Sequence, residues 1–223
     1  MYNIEIINQD CLIGMKSLIE KNKKVQLILT DPPYTMTKRG KSCRPNYMKH
    51  NMKEDLFEIG IPNVEEWFQL SFELLDNNTH FYTFCNINDI TNYLNAAKKI
   101  GFKLHNIISM VKDTLMPNRW YLKQTELVLF FRKGKAKPIN DVTSRDNIYV
   151  EMPTLKNGKI HVTQKPLNFI EKLVKNSSQE GEIVCDPFSG SGTTALACKN
   201  TNRNFIGFEL NKDIYLKSLK RIK

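Results

Sequence analysis

This 223-residue sequence predicts an α/β protein built on one mostly parallel sheet. Three observations predict it. Segments of strand character alternate with segments of helical character along most of the chain. Val25–Thr30 (VQLILT) is a continuous apolar run, as in a strand buried on both faces of a parallel sheet. Two turn-forming motifs, Asp31-Pro32-Pro33-Tyr34 and Phe188-Ser189-Gly190-Ser191-Gly192, each follow directly on a strand. Ligands of such sheets bind there, at the carboxyl ends of the strands.

Residues 3–8 form a short β-rich run ending near Asp10, and residues 12–20 read as a helix. After Val25–Thr30 the prolines cannot continue a central strand, since proline donates no ladder hydrogen bond. Asn63 with Glu66 three residues later resembles a capping pair, and Val64, Trp67, Phe68, Ser71 and Leu75 share the face of the helix it opens. Residues 80–85 are predicted as a strand, 87–100 as a helix ending at Gly101, and Lys103–Val111 and residues 126–131 as strands. Residues 166–177 carry an apolar helical stripe of Phe169, Ile170, Leu173 and Val174. Residues 182–185 and Asn204–Phe208 are strands with a helix after each; in the last helix Tyr215, Leu219 and Ile222 share a face. Residues 35–61, 114–123 and 134–161 break the alternation. Length and pattern predict a single domain over residues 1–223, with a basic loop at 35–61 and a short insertion at 134–160.

Lys and Arg total 33 against 23 Asp and Glu, a formal net charge of +10. That excess suits a polyanion, whose condensed counterions are released as phosphates are neutralised. The five cysteines are scattered without a C-x-x-C, which argues against a disulfide framework and for a reducing compartment. Neither they nor the four histidines show zinc-ligand spacing, so no metal is expected. The first residues lack the apolar core of a signal peptide and no run approaches membrane-spanning length, so the expected location is cytoplasmic.

The segment from Asp186 to Thr194 joins a strand to a helix. Gly190 and Gly192 permit a tight turn with close backbone approach, and the helix amides behind Thr193 can meet an anionic group. The spacing lacks the third glycine of the dinucleotide fingerprint and the Gly-Lys of a phosphate loop. Glu209, ending the next strand, is placed to accept hydrogen bonds from both hydroxyls of a ribose, so a nucleoside cofactor fits. In the other motif, two prolines hold Asp31 rigidly at the sheet edge, and Tyr34 offers a flat ring. An exocyclic amine is a poor nucleophile because its lone pair is delocalised. A carboxylate and a carbonyl accepting its two N–H groups draw the nitrogen towards sp³ geometry and stabilise the charge that develops on it. The ring can stack on a base taken out of the duplex.

Asp31-Pro32-Pro33-Tyr34, Phe188–Gly192 and His161-Val162-Thr163-Gln164-Lys165-Pro166 together resemble the DNA amino-methyltransferases, in the motif order of their β class. The resemblance spans Asp10 to Glu209. It implies S-adenosylmethionine as cofactor and a Rossmann-like methyltransferase fold with circularly permuted motif order. The implied sheet has seven strands, mostly parallel, with one antiparallel. By the same resemblance Asp186 meets the methionine amino group, and Phe188, Ser189, Gly190, Ser191, Gly192 and Thr193 wrap the methionine portion. Thr163 and Lys165 support its carboxylate end, Glu209 takes the ribose, Leu210 packs near the adenine, and Asp10 and Cys11 reach the adenine edge. Asp31 and the Pro32 carbonyl hold the target amine beside Pro33, and Tyr34 stacks on the target base. An Asp at the first motif position goes with adenine in this family and a Ser more often with cytosine, so N6-adenine is the expected target and N4-cytosine the alternative. An RNA methyltransferase and an inactive DNA-binding regulator of the same fold are the remaining rivals. Val162 departs from the family's usual proline, and residues 134–160 are short for a segment that usually reads sequence.

The expected partner is double-stranded DNA. Residues 36–53 hold Lys38, Arg39, Lys41, Arg44, Lys49 and Lys53 with no Asp or Glu, and leave the proline motif directly. Arg132, Lys133, Lys135 and Lys137 form a second basic group, and Arg119 with Asn118 and Trp120 a third. The resemblance adds a homodimer and a companion restriction endonuclease as expected partners. No membrane partner is expected.

Overall fold

The computed structural model describes residues 2–33, 62–112, 121, 124–150 and 165–223. In chain order these form β1 (Ile4–Ile7), α1 (Cys11–Glu20), β2 (Val25–Thr30), α2 (Val64–Leu74), β3 (Leu75–Cys85), α3 (Ile90–Ile100), β4 (Lys103–Val111) and β5 (Thr125–Lys133). There follow a 3₁₀ turn at Val142–Ser144, β6 (Ile148–Val150), α4 (Leu167–Ser177), β7 (Ile183–Asp186), α5 (Thr193–Asn200), β8 (Asn204–Phe208) and α6 (Lys212–Ile222).

The strands form one sheet in the order β1-β8-β7-β2-β3-β5-β4-β6. Only β5 runs against its neighbours, pairing antiparallel with β3 and β4. The other pairs are parallel. The expected α/β class and the single antiparallel strand are therefore found. Eight strands, where the resemblance implied seven, are present among the described residues; the additional one is the three-residue β6, which extends the edge beyond β4. It lies in the stretch read as an insertion, too short to show a period of its own.

Apolar side chains leave the sheet on both faces and each face is covered by helices. On one side Met15 and Leu18 of α1, Trp67, Phe68 and Leu74 of α2, and Tyr93, Ala96 and Ala97 of α3 pack on Ile28, Phe81, Leu129 and Phe131. On the other, Phe169, Ile170, Leu173 and Val174 of α4 and Ala195, Ala197 and Cys198 of α5 meet Leu27, Leu29, Tyr82, Phe84, Val128 and Val184. Alternation along β3 and β5 divides their residues between the two faces, as the period of two requires. The α4 stripe read from the sequence is thus the buried one. At Gly14 the helix approaches β8 so closely that a Cβ would lie 2.2 Å from the Phe208 ring.

Two boundaries differ from expectation. β3 begins at Leu75, five residues before His80, because Leu75 pairs with Val25 and Thr79 with Lys133; the polar run between makes a bulge with Asn78 at φ 60°. α3 begins at Ile90, because Asn86 closes a turn first, its side chain accepting from the Asn88 amide and its carbonyl from the Asp89 amide. At the start of α2 Asn63 Oδ1 accepts from the Glu65 and Glu66 amides as expected, while the Glu66 side chain pairs with Lys16; α5 starts from Gly192 without a side-chain cap, so Thr193 does not cap it.

Candidate active site at the carboxyl edge of the sheet

β2 and β7 are neighbours, with Ile28 opposite Cys185, so the proline motif and the glycine turn leave the sheet side by side. Along β1-β8-β7-β2 an acid either ends the strand (Asp186) or follows its carboxyl end within three residues (Asp10, Glu209 and Asp31). In a chain of net charge +10 this edge is a local concentration of acceptors, suited to ammonium, amine and hydroxyl groups.

Asp186 is buried. Its Oδ1 accepts from Thr30 Oγ1 at 2.6 Å and from the Phe188 amide at 3.0 Å, which ties the β7 end to the β2 end. Burial pushes its carboxyl up to about 6, against the hydrogen bonds from Thr30, Thr194 and Phe188, and the charge of Asp31 adds to the rise. A buried carboxylate of this kind is short of a cation.

Beyond it the chain turns through Gly190 and Gly192, at φ +50° and +75°. At 192 a Cβ would also meet Ile222 Cδ1 and Ser218 Cβ at 3.2 Å, so both backbone and space call for glycine. Glu209 braces this turn: Oε2 accepts from the Gly190 amide at 3.0 Å and Oε1 from the Asn211 amide at 2.7 Å. Burial raises its carboxyl above the usual range. Arg221 of α6 closes the turn from behind, donating to the Ser191 carbonyl at 3.1 Å and to Thr193 Oγ1 at 2.9 Å. Ser189 is buried, and its Oγ has no hydrogen-bond partner among the described residues. Phe188 turns away from the edge and sets its ring edge-on to Trp67, with centroids 5.4 Å apart.

Asp10 caps α1, Oδ1 accepting from the Leu12 and Ile13 amides at 2.8 and 3.2 Å. Cys11 points into the apolar core, where burial pushes its thiol up to about 12. Leu210 is exposed beside Glu209, its carbonyl accepting from Asn8 Nδ2.

Asp31 is partly buried, Pro32 buried and Pro33 exposed. Lys165 was expected at the carboxylate end of the cofactor. The structure gives its ammonium to two acids, Asp31 Oδ2 at 2.8 Å and Glu126 Oε2 at 2.8 Å, above the Phe84 ring. Lys112 pairs with the other oxygen of Glu126. The reason is positional: β5 runs backwards, so its first residues share the edge with the carboxyl ends of the parallel strands.

The basic group at the end of β5 is not brought to this site. Thr79 opposite Lys133 and His80 opposite Arg132 put those residues, with Lys135, at the amino end of β3. Lys133 is engaged within the fold, its ammonium donating to the Phe72 and Leu75 carbonyls at 2.7 Å each, where α2 ends. The expectations on Tyr34, Lys38, Arg39, Lys41, Arg44, Lys49, Lys53, Arg119 and Thr163 lie outside the described residues. Thr30 heads the proline motif in the sequence as the last residue of a buried strand, and its hydrogen bond to Asp186 is what the structure adds; Glu126 and Arg221 carry no signal in the sequence.

A family model of DNA methylases, covering N6 and N4 enzymes, matches residues 25–220. The chain is 30% identical to the type II methyltransferase M2.LlaDCHI of Lactococcus lactis subsp. cremoris, over 92% of its own length and 84% of that protein's. The crystal structure of M1.HpyAVI in complex with SAM superposes with a TM-score of 0.76 at 30% identity, covering 98% of each chain. The PvuII DNA methyltransferase, described as cytosine-N4-specific, shares the fold with a TM-score of 0.76 at 16% identity.

Proposed function

Because the chain belongs to the N6/N4 family of DNA methylases, we propose that it methylates the N6 amine of adenine at a specific sequence in duplex DNA, with S-adenosylmethionine as donor. The observation that carries the reading is the side-by-side exit of the Asp31 corner and the Asp186–Gly192 turn from neighbouring strands. Donor and target amine can then be held at one edge of one sheet.

S-adenosylmethionine, when bound, supplies a methyl group activated by a sulfonium. The residues present fit it. Asp186, buried and short of a cation, suits an amino group. Glu209, whose oxygens already take two amides, keeps lone pairs for ribose hydroxyls. The Gly190–Gly192 turn keeps side chains out of the way, and Ser189 Oγ remains available as a donor or acceptor. Contact with the adenine edge from residue 11 falls to its amide, which as the first of α1 has no acceptor within the helix.

Asp31 and the Pro32 carbonyl accept the two N–H groups of the target amine. They localise its lone pair for a single displacement and stabilise the positive charge it gains. No nucleophilic side chain is needed, and Cys85, Cys185 and Cys198 are buried with thiols pushed up by burial. Tyr34 stacks on the flipped base, and Lys38, Arg39, Lys41, Arg44, Lys49 and Lys53 grip phosphates beside it. A homodimer and a companion restriction endonuclease complete the proposal. Among the described residues no helix is long and apolar enough to cross a membrane.

Single-molecule sequencing of DNA from cells expressing the protein tests the reading. N6-methyladenine in one sequence context is expected. N4-methylcytosine instead would move the target to cytosine, and DNA unmodified relative to control cells would sink the proposal.

A further inference from the structure

Asp31 carries the proposed chemistry, yet it is not alone at the edge. Lys165, immediately before α4, is buried and bridges Asp31 Oδ2 and Glu126 Oε2 at 2.8 Å each. Lys112, at the end of β4, pairs with Glu126 in turn. The four groups, two acids and two lysines, cancel in charge. Mutual pairing of this kind offsets the cost of taking charges out of water. Burial alone would drive Lys165 towards the neutral amine, but the charges of Asp31 and Glu126 more than offset it and hold the ammonium above its ordinary range. Burial likewise favours the acid form of Glu126, and Lys165 and Lys112 reverse that. Lys165 also rests on the Phe84 ring, with Nζ 4.7 Å from the centroid, so its stem is fixed from below.

Resting on the functional reading above, we propose that Lys165, held by Glu126, is a positioning residue for Asp31: it fixes the orientation of the carboxylate that receives the target amine. The ion pair at Oδ2 fixes the direction in which the carboxylate faces. A carboxylate without that ion pair would turn between orientations, which would displace the acceptor. The arrangement also gives the lysine of the Thr-Gln-Lys-Pro segment a task distinct from cofactor binding. Among the described residues, Asp186 on β7 and Tyr93 on α3 also lie close enough to Asp31 to feel its charge.

The test compares wild type, Lys165→Met, Glu126→Gln and the double variant in methyl transfer to DNA. Affinity for S-adenosylmethionine is measured by calorimetry alongside. Lys165→Met is expected to lower kcat by about 100-fold, the cost of a misplaced catalytic group, with cofactor Kd changed by less than about twofold. Glu126→Gln preserves volume and lowers kcat less; the double variant is no worse than Lys165→Met, since Glu126 acts only through the lysine. A cofactor Kd weakened by about tenfold or more at unchanged kcat would show that Lys165 serves the cofactor and would overturn the inference. If Lys165→Met does not fold, Glu126→Gln decides alone, and a wild-type kcat in that variant would overturn it. No transfer by wild type to any DNA would sink the functional reading as well, whereas full activity in Lys165→Met beside an active wild type sinks this inference only.

Discussion

Asp186→Asn should make the cofactor-free protein more stable at neutral and alkaline pH while destroying its affinity for S-adenosylmethionine. The folded protein raises the Asp186 carboxyl from 3.8 to about 6, chiefly through burial. A rise of about two units, at about 1.4 kcal/mol each, corresponds to about 3 kcal/mol between the two ends of the titration. The folded-state value lies above the unfolded one. The group's contribution to stability is therefore complete below about pH 4 and is lost as the pH rises through about 6. At about pH 8 the wild type carries a buried charge that asparagine never carries. The amide oxygen can still accept from Thr30 and Phe188, but its NH₂ group brings an unmet donor that costs about 1–3 kcal/mol. The net gain at about pH 8 is thus about 1 kcal/mol, and the pH dependence is the larger signal. Urea denaturation of both proteins between about pH 4 and pH 8 should show the variant's relative stability climbing by about 3 kcal/mol with pH. A difference that stays flat over that range, or a variant that still binds cofactor as wild type does, would refute the account of Asp186 as a carboxylate awaiting a cation.

Three other expectations follow from the same structure. Lys133→Met should destabilise the fold by about 1–3 kcal/mol, because two carbonyls at the end of α2 lose a charged donor, while DNA affinity stays at the wild-type value; weakened DNA binding with unchanged stability would restore Lys133 to the DNA surface. Gly192→Ala should cost about 1–3 kcal/mol through its left-handed backbone and its crowding against α6, read as a lowered Tm. His80 is kept neutral by burial, its ring hydrogen-bonded to Ser177 Oγ at 2.7 Å and the Lys137 carbonyl at 2.9 Å. Its value is lowered in the fold, so its contribution is present above 6.5 and is lost as the pH falls towards the folded value. His80→Asn should remove that part of the acid sensitivity of Tm, and an unchanged pH profile would contradict it.

What could be read from the sequence was local. Val25–Thr30 announced itself as a central strand by composition, and the prolines and glycines that end β2 and begin α5 named both halves of the site. The α4 stripe showed its buried face through helical spacing. Long-range pairings were hidden. Lys165 meets Asp31 and Glu126 only because antiparallel β5 starts at the edge where parallel strands finish, and no pattern near residue 126 announces that register. The same register sends Lys133 to the opposite end, where its ammonium meets the carbonyls at the end of α2. Leu75 and the polar residues after it read as the end of a helix and a turn, yet they belong to β3 because β2 and β5 pair with them. Tertiary pairing there outweighs local composition.

The account depends most on Asp31. Purified wild type and Asp31→Ala should be incubated with duplex DNA and S-adenosylmethionine carrying a labelled methyl group, with cofactor binding measured in parallel. Label in N6-methyladenine from the wild type, none from a variant that binds cofactor normally, is the expected result. Transfer by Asp31→Ala at the wild-type rate would contradict it.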